Sequence, residues 1–142
     1  MSHVARPRFG ATGIGVKDLA RSVAFYTSVF GMKKLMEFKL AHMNEVVLGF
    51  DGAAGGALVL MQYTDGSVHD YANTGAKLVF YVPDPRDLAK RIREAGLPIE
   101  REPEPIPELA NAIVGFARDP DGYLIEILEA KPVSATPVAA HS

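Results

Sequence analysis

Apolar and polar positions along this chain fall into a series of short blocks that occurs twice. Residues 9–16 read as a strand, although Gly10, Gly13 and Gly15 are poor strand formers. Glycine inside a strand marks a bulge or a close approach by a ligand or another backbone. Asp18 is placed to N-cap a helix running to about Phe30, with Leu19, Val23, Tyr26 and Phe30 on one face and Gly31 just past its end. Three strand-like runs follow at 33–43, 45–50 and 57–63, separated by Asn44 and by the turn-rich residues 51–56.

The polar, glycine-containing residues 65–75 read as a linker, after which the scheme starts again. Residues 76–82 form a strand, Asp84 and Pro85 supply an N-cap and a first helical residue, and Leu88, Ala89, Ile92 and Ala95 make an apolar stripe that Gly96 stops. Val82-Pro83-Asp84 mirrors Val16-Lys17-Asp18, which suggests an internal duplication. Strands near 99–102, 112–118 and 123–129 complete the second half. The proline-rich residues 102–107 cannot be a central strand and belong at an edge or in a loop. These blocks predict an α+β fold of two modules, 9–64 and 76–130, between an N-terminus frayed over residues 1–8 and a disordered tail at 131–142, rich in Pro, Ala, Ser and Thr.

Composition narrows the function classes. Nearly half of the 142 residues are hydrophobic, enough to bury a core. No apolar run approaches the ~20 residues that span a bilayer, and the start of the chain lacks a signal pattern, so no membrane is expected and a cytoplasmic location is the default. The absence of cysteine removes disulfides, thiolate ligands and thiol nucleophiles. A net charge of −2 leaves no electrostatic footprint for nucleic acid.

The most informative stretch is Asp119-Pro120-Asp121-Gly122-Tyr123-Leu124-Ile125-Glu126. Asp-Pro-Asp-Gly fits a type I turn, and the strand after it is apolar on both faces except at Glu126. A carboxylate there is costly unless it is paired, so it marks either a site or a wet edge of the sheet. These residues resemble the last turn and strand of the glyoxalase I, bleomycin-resistance and extradiol-dioxygenase superfamily, also called the vicinal oxygen chelate superfamily. The opening Val16-Lys17-Asp18-Leu19-Ala20-Arg21-Ser22-Val23-Ala24-Phe25-Tyr26, with Phe30-Gly31-Met32, resembles its first strand end and helix.

The resemblance implies two βαβββ modules forming curled mixed sheets around a cavity, helices outside, and a homodimer. It also implies where a metal would be held in the metal-dependent members. Those positions fall on Ala11, Leu60, Lys77 and Glu126, of which only Glu126 can donate to a metal. A register slip of two in the fourth strand would bring Gln62 into place instead. The resemblance thus implies a small organic ligand and no metal or other cofactor. By alternation the cavity receives Ala11, Gly13 and Gly15; Leu58, Leu60 and Gln62; Lys77, Val79 and Tyr81; and Leu124, Glu126 and Leu128. Lys77 and Glu126 are the candidate catalytic pair, with a structural salt bridge as the alternative. Leu58, Leu60, Gln62, Val79, Tyr81 and Leu124 are the candidate ligand contacts. His42 and His69 could reach a cavity mouth or stay on the surface, and His3 and His141 lie near the ends. Both a metal-free binder of a small, mostly apolar molecule and a lyase or epimerase acting on a small carbonyl compound remain open.

Overall fold

The computed structural model describes residues 6–51 and 56–130, and the chain divides between Ala72 and Asn73 into two compact units. The tail at 131–142, His3, His141 and most of the turn at 51–56 lie outside the described residues. In the first unit, strand β1 (Ala11–Gly15) leads into helix α1 (Leu19–Ser28), followed by β2 (Lys33–Lys39), β3 (Met43–Gly49) and β4 (Ala57–Tyr63). The second unit repeats this with β5 (Lys77–Val82), α2 (Pro85–Glu94), β6 (Ile99–Ile106), a 3-10 turn at Pro107–Leu109, β7 (Ala112–Arg118) and β8 (Leu124–Glu129). The sheets run β1-β4-β3-β2 and β5-β8-β7-β6, with β1–β4 and β5–β8 parallel and the other pairs antiparallel. This is the α+β, two-module βαβββ fold with mixed sheets.

Local chemistry accounts for the boundaries. Asp18 accepts from the Arg21 N–H at the start of α1, and Asp84 accepts from Arg86 and Asp87 at the start of α2, satisfying amides that a helix cannot pair internally. Gly96 takes φ +85° where α2 ends, a conformation that side chains disfavour. At the turn before β8, Gly122 N–H donates to Asp119 O at 3.0 Å. The buried Asp119 carboxylate accepts from the amides of Asp121 and Tyr123 at 2.8 and 2.9 Å. That side chain thereby sets where β8 begins.

Each sheet has one face under its helix and one open face. Ile14, Val16, Val46 and Leu48 are buried on the α1 side, and Ile125, Ile127 and Ala117 on the α2 side. Three expected features shift. The β2–β3 reversal lies at Leu40–His42, closed by Leu40 N–H on Met43 O, and Asn44 sits within the ladder opposite Gln62. The buried stripe of α1 is Ser22, Phe25 and Tyr26, with Val29 at its C-cap; Tyr26 keeps its expected place, while Leu19, Val23 and Phe30 are only half-buried. Finally, β6 continues as a strand through Pro103 and Pro105, which an edge position with two register irregularities permits.

Candidate functional site on the open sheet faces

On β5 and β8 the parallel register sets Lys77 beside Leu124, Val79 beside Glu126 and Tyr81 beside Leu128, all six on the open face. Lys77 Nζ donates to Glu126 Oε1 at 2.8 Å. The two ends of this pair differ in solvation: the glutamate side chain is 12% exposed and the lysine 46%. The carboxylate is therefore largely withdrawn from water, while the ammonium stands at the rim. Val79 and Tyr81 continue the face outward at 43% and 73% exposure.

The first sheet has the same frame with different contents. Gly13 pairs with Val59 as Val79 pairs with Glu126, so Ala11 is the counterpart of Lys77 and Val59 the counterpart of Glu126. This corrects the expected orientation of β4. Leu58 and Leu60 are buried on the α1 side with Ile14 and Val46, and Gln62 Oε1 accepts from Leu19 N–H at 2.8 Å, holding the start of α1. The physical reason is that β4 is apolar on both faces, so its alternation has no phase until the pairing with β1 supplies one. Leu58, Leu60 and Gln62 thus do not share a face with the cavity-side residues of β1. Val59 and Met61 do, and Met61 covers Gly13, as shown by the 3.3 Å that would separate its methyl from an added Cβ.

The positions that hold a metal in the resembled enzymes do not fit an ion here. Ala11 and Leu60 offer hydrocarbon, as does Val59, the counterpart of Glu126 in the register, and Lys77 engages the one carboxylate through an ammonium with no free lone pair. Among the described residues, no three His, Cys, Asp or Glu side chains come together.

His69 lies at the surface between two tyrosines, its ring 4.4 Å from Tyr63 and 5.7 Å from Tyr71, with Nε2 at 2.8 Å from Ser67 Oγ. Ser67 in turn donates to Asp65, whose carboxyl is held below its ordinary pKa chiefly by that hydrogen bond. Tyr71 closes over Gly15, where any Cβ would fall 2.3 Å from its ring. The first part of the expected linker is therefore bound to the first unit. His42 sits in the β2–β3 turn, exposed.

A further part of the open face is not evident from the sequence pattern. The β2–β3 register slips between Lys34 and Met36, so the bulge turns both Leu35, whose methyl lies over Gly49, and Met36 to the open side. Phe38 follows on the same face opposite Glu45, and Glu45 lies opposite Met61 on β4. A carboxylate interrupting an apolar strand is the signal that singles out Glu126. At Glu45 it is masked, because a turn placed at Asn44 makes Glu45 look like a strand end. On the opposite side, a groove of about 550 Å³ lies between α1 and β2–β3, bordered by Leu19, Val23, Ala24, Lys34, Asn44 and Val46.

Comparison with known proteins agrees with this architecture. The family model described as Glyoxalase/Bleomycin resistance protein/Dioxygenase superfamily matches residues 3–127. A lactoylglutathione lyase of Salmonella typhimurium is 34% identical over 126 residues, covering 84% of this chain and 90% of that protein. The trypanothione-dependent glyoxalase I of Leishmania major superposes with a TM-score of 0.74 at 30% identity, covering 87% of each chain. An antibiotic-binding protein from Streptomyces, TnmS3, shares the fold with a TM-score of 0.70 at 20% identity, over 91% of this chain and 100% of that one.

Proposed function

The chain belongs to the Glyoxalase/Bleomycin resistance protein/Dioxygenase superfamily, and from that premise we propose that it binds a small, mostly apolar organic molecule on its open sheet faces without a metal. The observation that carries this reading is the Lys77–Glu126 ion pair. An ammonium stands where a metal-dependent relative would place a ligand, and it offsets the carboxylate that would otherwise attract the cation. Around the pair, Val79, Tyr81 and Leu124 present apolar surface with few polar groups, the composition of a small-molecule site. Tyr81 adds a broad face for stacking and a hydroxyl at its tip. In this reading Glu126 accepts a hydrogen bond from the ligand and Lys77 orients it. The protein works as a homodimer, which sedimentation at micromolar concentration tests directly.

A second reading is favoured by the 34% identity to a lactoylglutathione lyase. Here Glu126 removes a proton from the carbon beside a carbonyl, and the Lys77 ammonium stabilises the negative charge that develops on the oxygen. The carbon that loses the proton carries a hydroxyl; when the proton is returned to the former carbonyl carbon, that hydroxyl becomes the new carbonyl and its proton passes to the oxyanion, so the isomerisation has no net change in atoms. Glu126→Gln separates the readings. An enzyme loses lactoylglutathione formation or breakdown by about 10²-fold or more while retaining affinity, whereas a binder has no turnover to lose and changes only in affinity. Native mass spectrometry of the purified protein should show a bound organic molecule. Stoichiometric Zn, Ni, Fe or Mn by elemental analysis would overturn the metal-free reading.

A further inference from the structure

We propose that the open face of the first sheet takes an organic cation, a protonated amine or guanidine on an aromatic or aliphatic body, with Glu45 as its counter-ion. This gives a ligand class to the small-molecule reading above and rests on it. The face is built for an apolar body. The bulge in β2 leaves Leu35 and Met36 at 54% and 53% exposure, and Phe38 at 41%, in a row along one side. Val47, Val59 and Met61 form the floor behind them. Exposed apolar surface of this kind marks interaction sites, and thioethers adapt to ligands of varied outline.

Glu45 gives that face its sign. It is half-buried on the inner strand β3, towards the β2–β3 turn, between Phe38 on β2 and Met61 on β4, and its side chain makes no hydrogen bond or ion pair among the described residues. The lysines of β2 do not serve it. Lys33 pairs with Asp51 at 2.6 Å and Lys34 with Glu37 at 2.9 Å, while the register turns Lys39, opposite Asn44, to the α1 side. The second sheet neutralises its carboxylate internally, but the first leaves its own without a cation. A half-buried carboxylate amid hydrocarbon is stabilised most by a charge-assisted hydrogen bond from a donor whose remainder covers the surrounding apolar surface. The Phe38 ring adds a cation–π face on one side of the same point.

The test uses two probes of one shape, 1-naphthylmethylamine, protonated at neutral pH, and 1-naphthylmethanol, followed through the backbone amide NMR signals of the full chain. The amine should move the amides of β2 and β3 and bind about ten-fold tighter than the alcohol, the worth of one charge-assisted bond. Glu45→Gln should bring the two affinities together, and Glu94→Gln, the same charge change on α2, should leave the preference intact. Equal binding of the two probes, a preference that survives Glu45→Gln, or shifts confined to β5 and β8 would overturn the cation assignment while leaving the small-molecule reading standing. If neither compound moves any amide at millimolar concentration, both fall together. Shifts on β2 and β3 that depend on protein concentration alone would give this face to a second copy of the chain and also refute the proposal.

Discussion

The open-facing residues of β1 and β5 occupy matching places in the two units, yet they are Ala11, Gly13 and Gly15 in one and Lys77, Val79 and Tyr81 in the other. On β1 the missing side chains are replaced from elsewhere: Met61 folds over Gly13 and Tyr71 over Gly15. On β5 the side chains are large, and Val79 and Tyr81 stay exposed. Backbone pairing is thus indifferent to what the open face carries. One unit has become a lined surface with a single carboxylate one strand further along, the other a surface with a self-neutralised pair.

The largest effect that would break this comparison concerns β4. If Val59 is the true counterpart of Glu126, then Val59→Glu should cost only about 1 kcal/mol, because its side chain faces the open side. Leu60→Glu, which buries a carboxylate beneath α1, should cost about 4 kcal/mol or more. Urea denaturation of both variants checks the order, and a reversed order would mean that the assigned face is wrong. Gly15→Ala comes next. Its new methyl would displace Tyr71 and cost about 1–3 kcal/mol, with the His69–Tyr71 ring stacking lost from the NMR ring-current shifts. The smallest effect is expected at the ion pair. Lys77→Ala strands a glutamate that is mostly buried, but the lysine is already half solvated, so water can enter. A loss of about 1–2 kcal/mol in thermal denaturation is expected, below the 3–5 kcal/mol typical of a fully buried pair.

Much of the fold was legible because the signals were local. Asp18, Asp84 and Gly96 mark helix ends by capping chemistry, and Asp119 to Gly122 mark a reversal, whatever the rest of the chain does. Of the candidate site, the meeting of Lys77 and Glu126 followed from the period of a strand and a family pattern. The side of the sheet to which Leu58 and Leu60 turn did not follow, because alternation between two apolar faces leaves the phase to a partner strand distant in sequence. The bulge at Leu35 was hidden for a similar reason: Leu and Met in succession are consistent with either face until β3 fixes the register. Glu45 was obscured by the misplaced turn, which in the structure uses Leu40 to His42 and keeps Asn44 in the ladder.

In both units the first strand is hydrogen-bonded in parallel to the last, β1 to β4 and β5 to β8. On a growing chain this fixes a schedule. β1 emerges long before the edge that will hold it, and α1 has no finished sheet to lie on until β4 is made. Each unit must therefore close a long loop before its earliest residues are secured, a non-local contact of the kind that slows folding. A nascent chain arrested just before β4 would hold the β2–β3 hairpin with β1 still unpaired, and amide exchange on such a chain should protect the hairpin and leave Ala11–Gly15 unprotected.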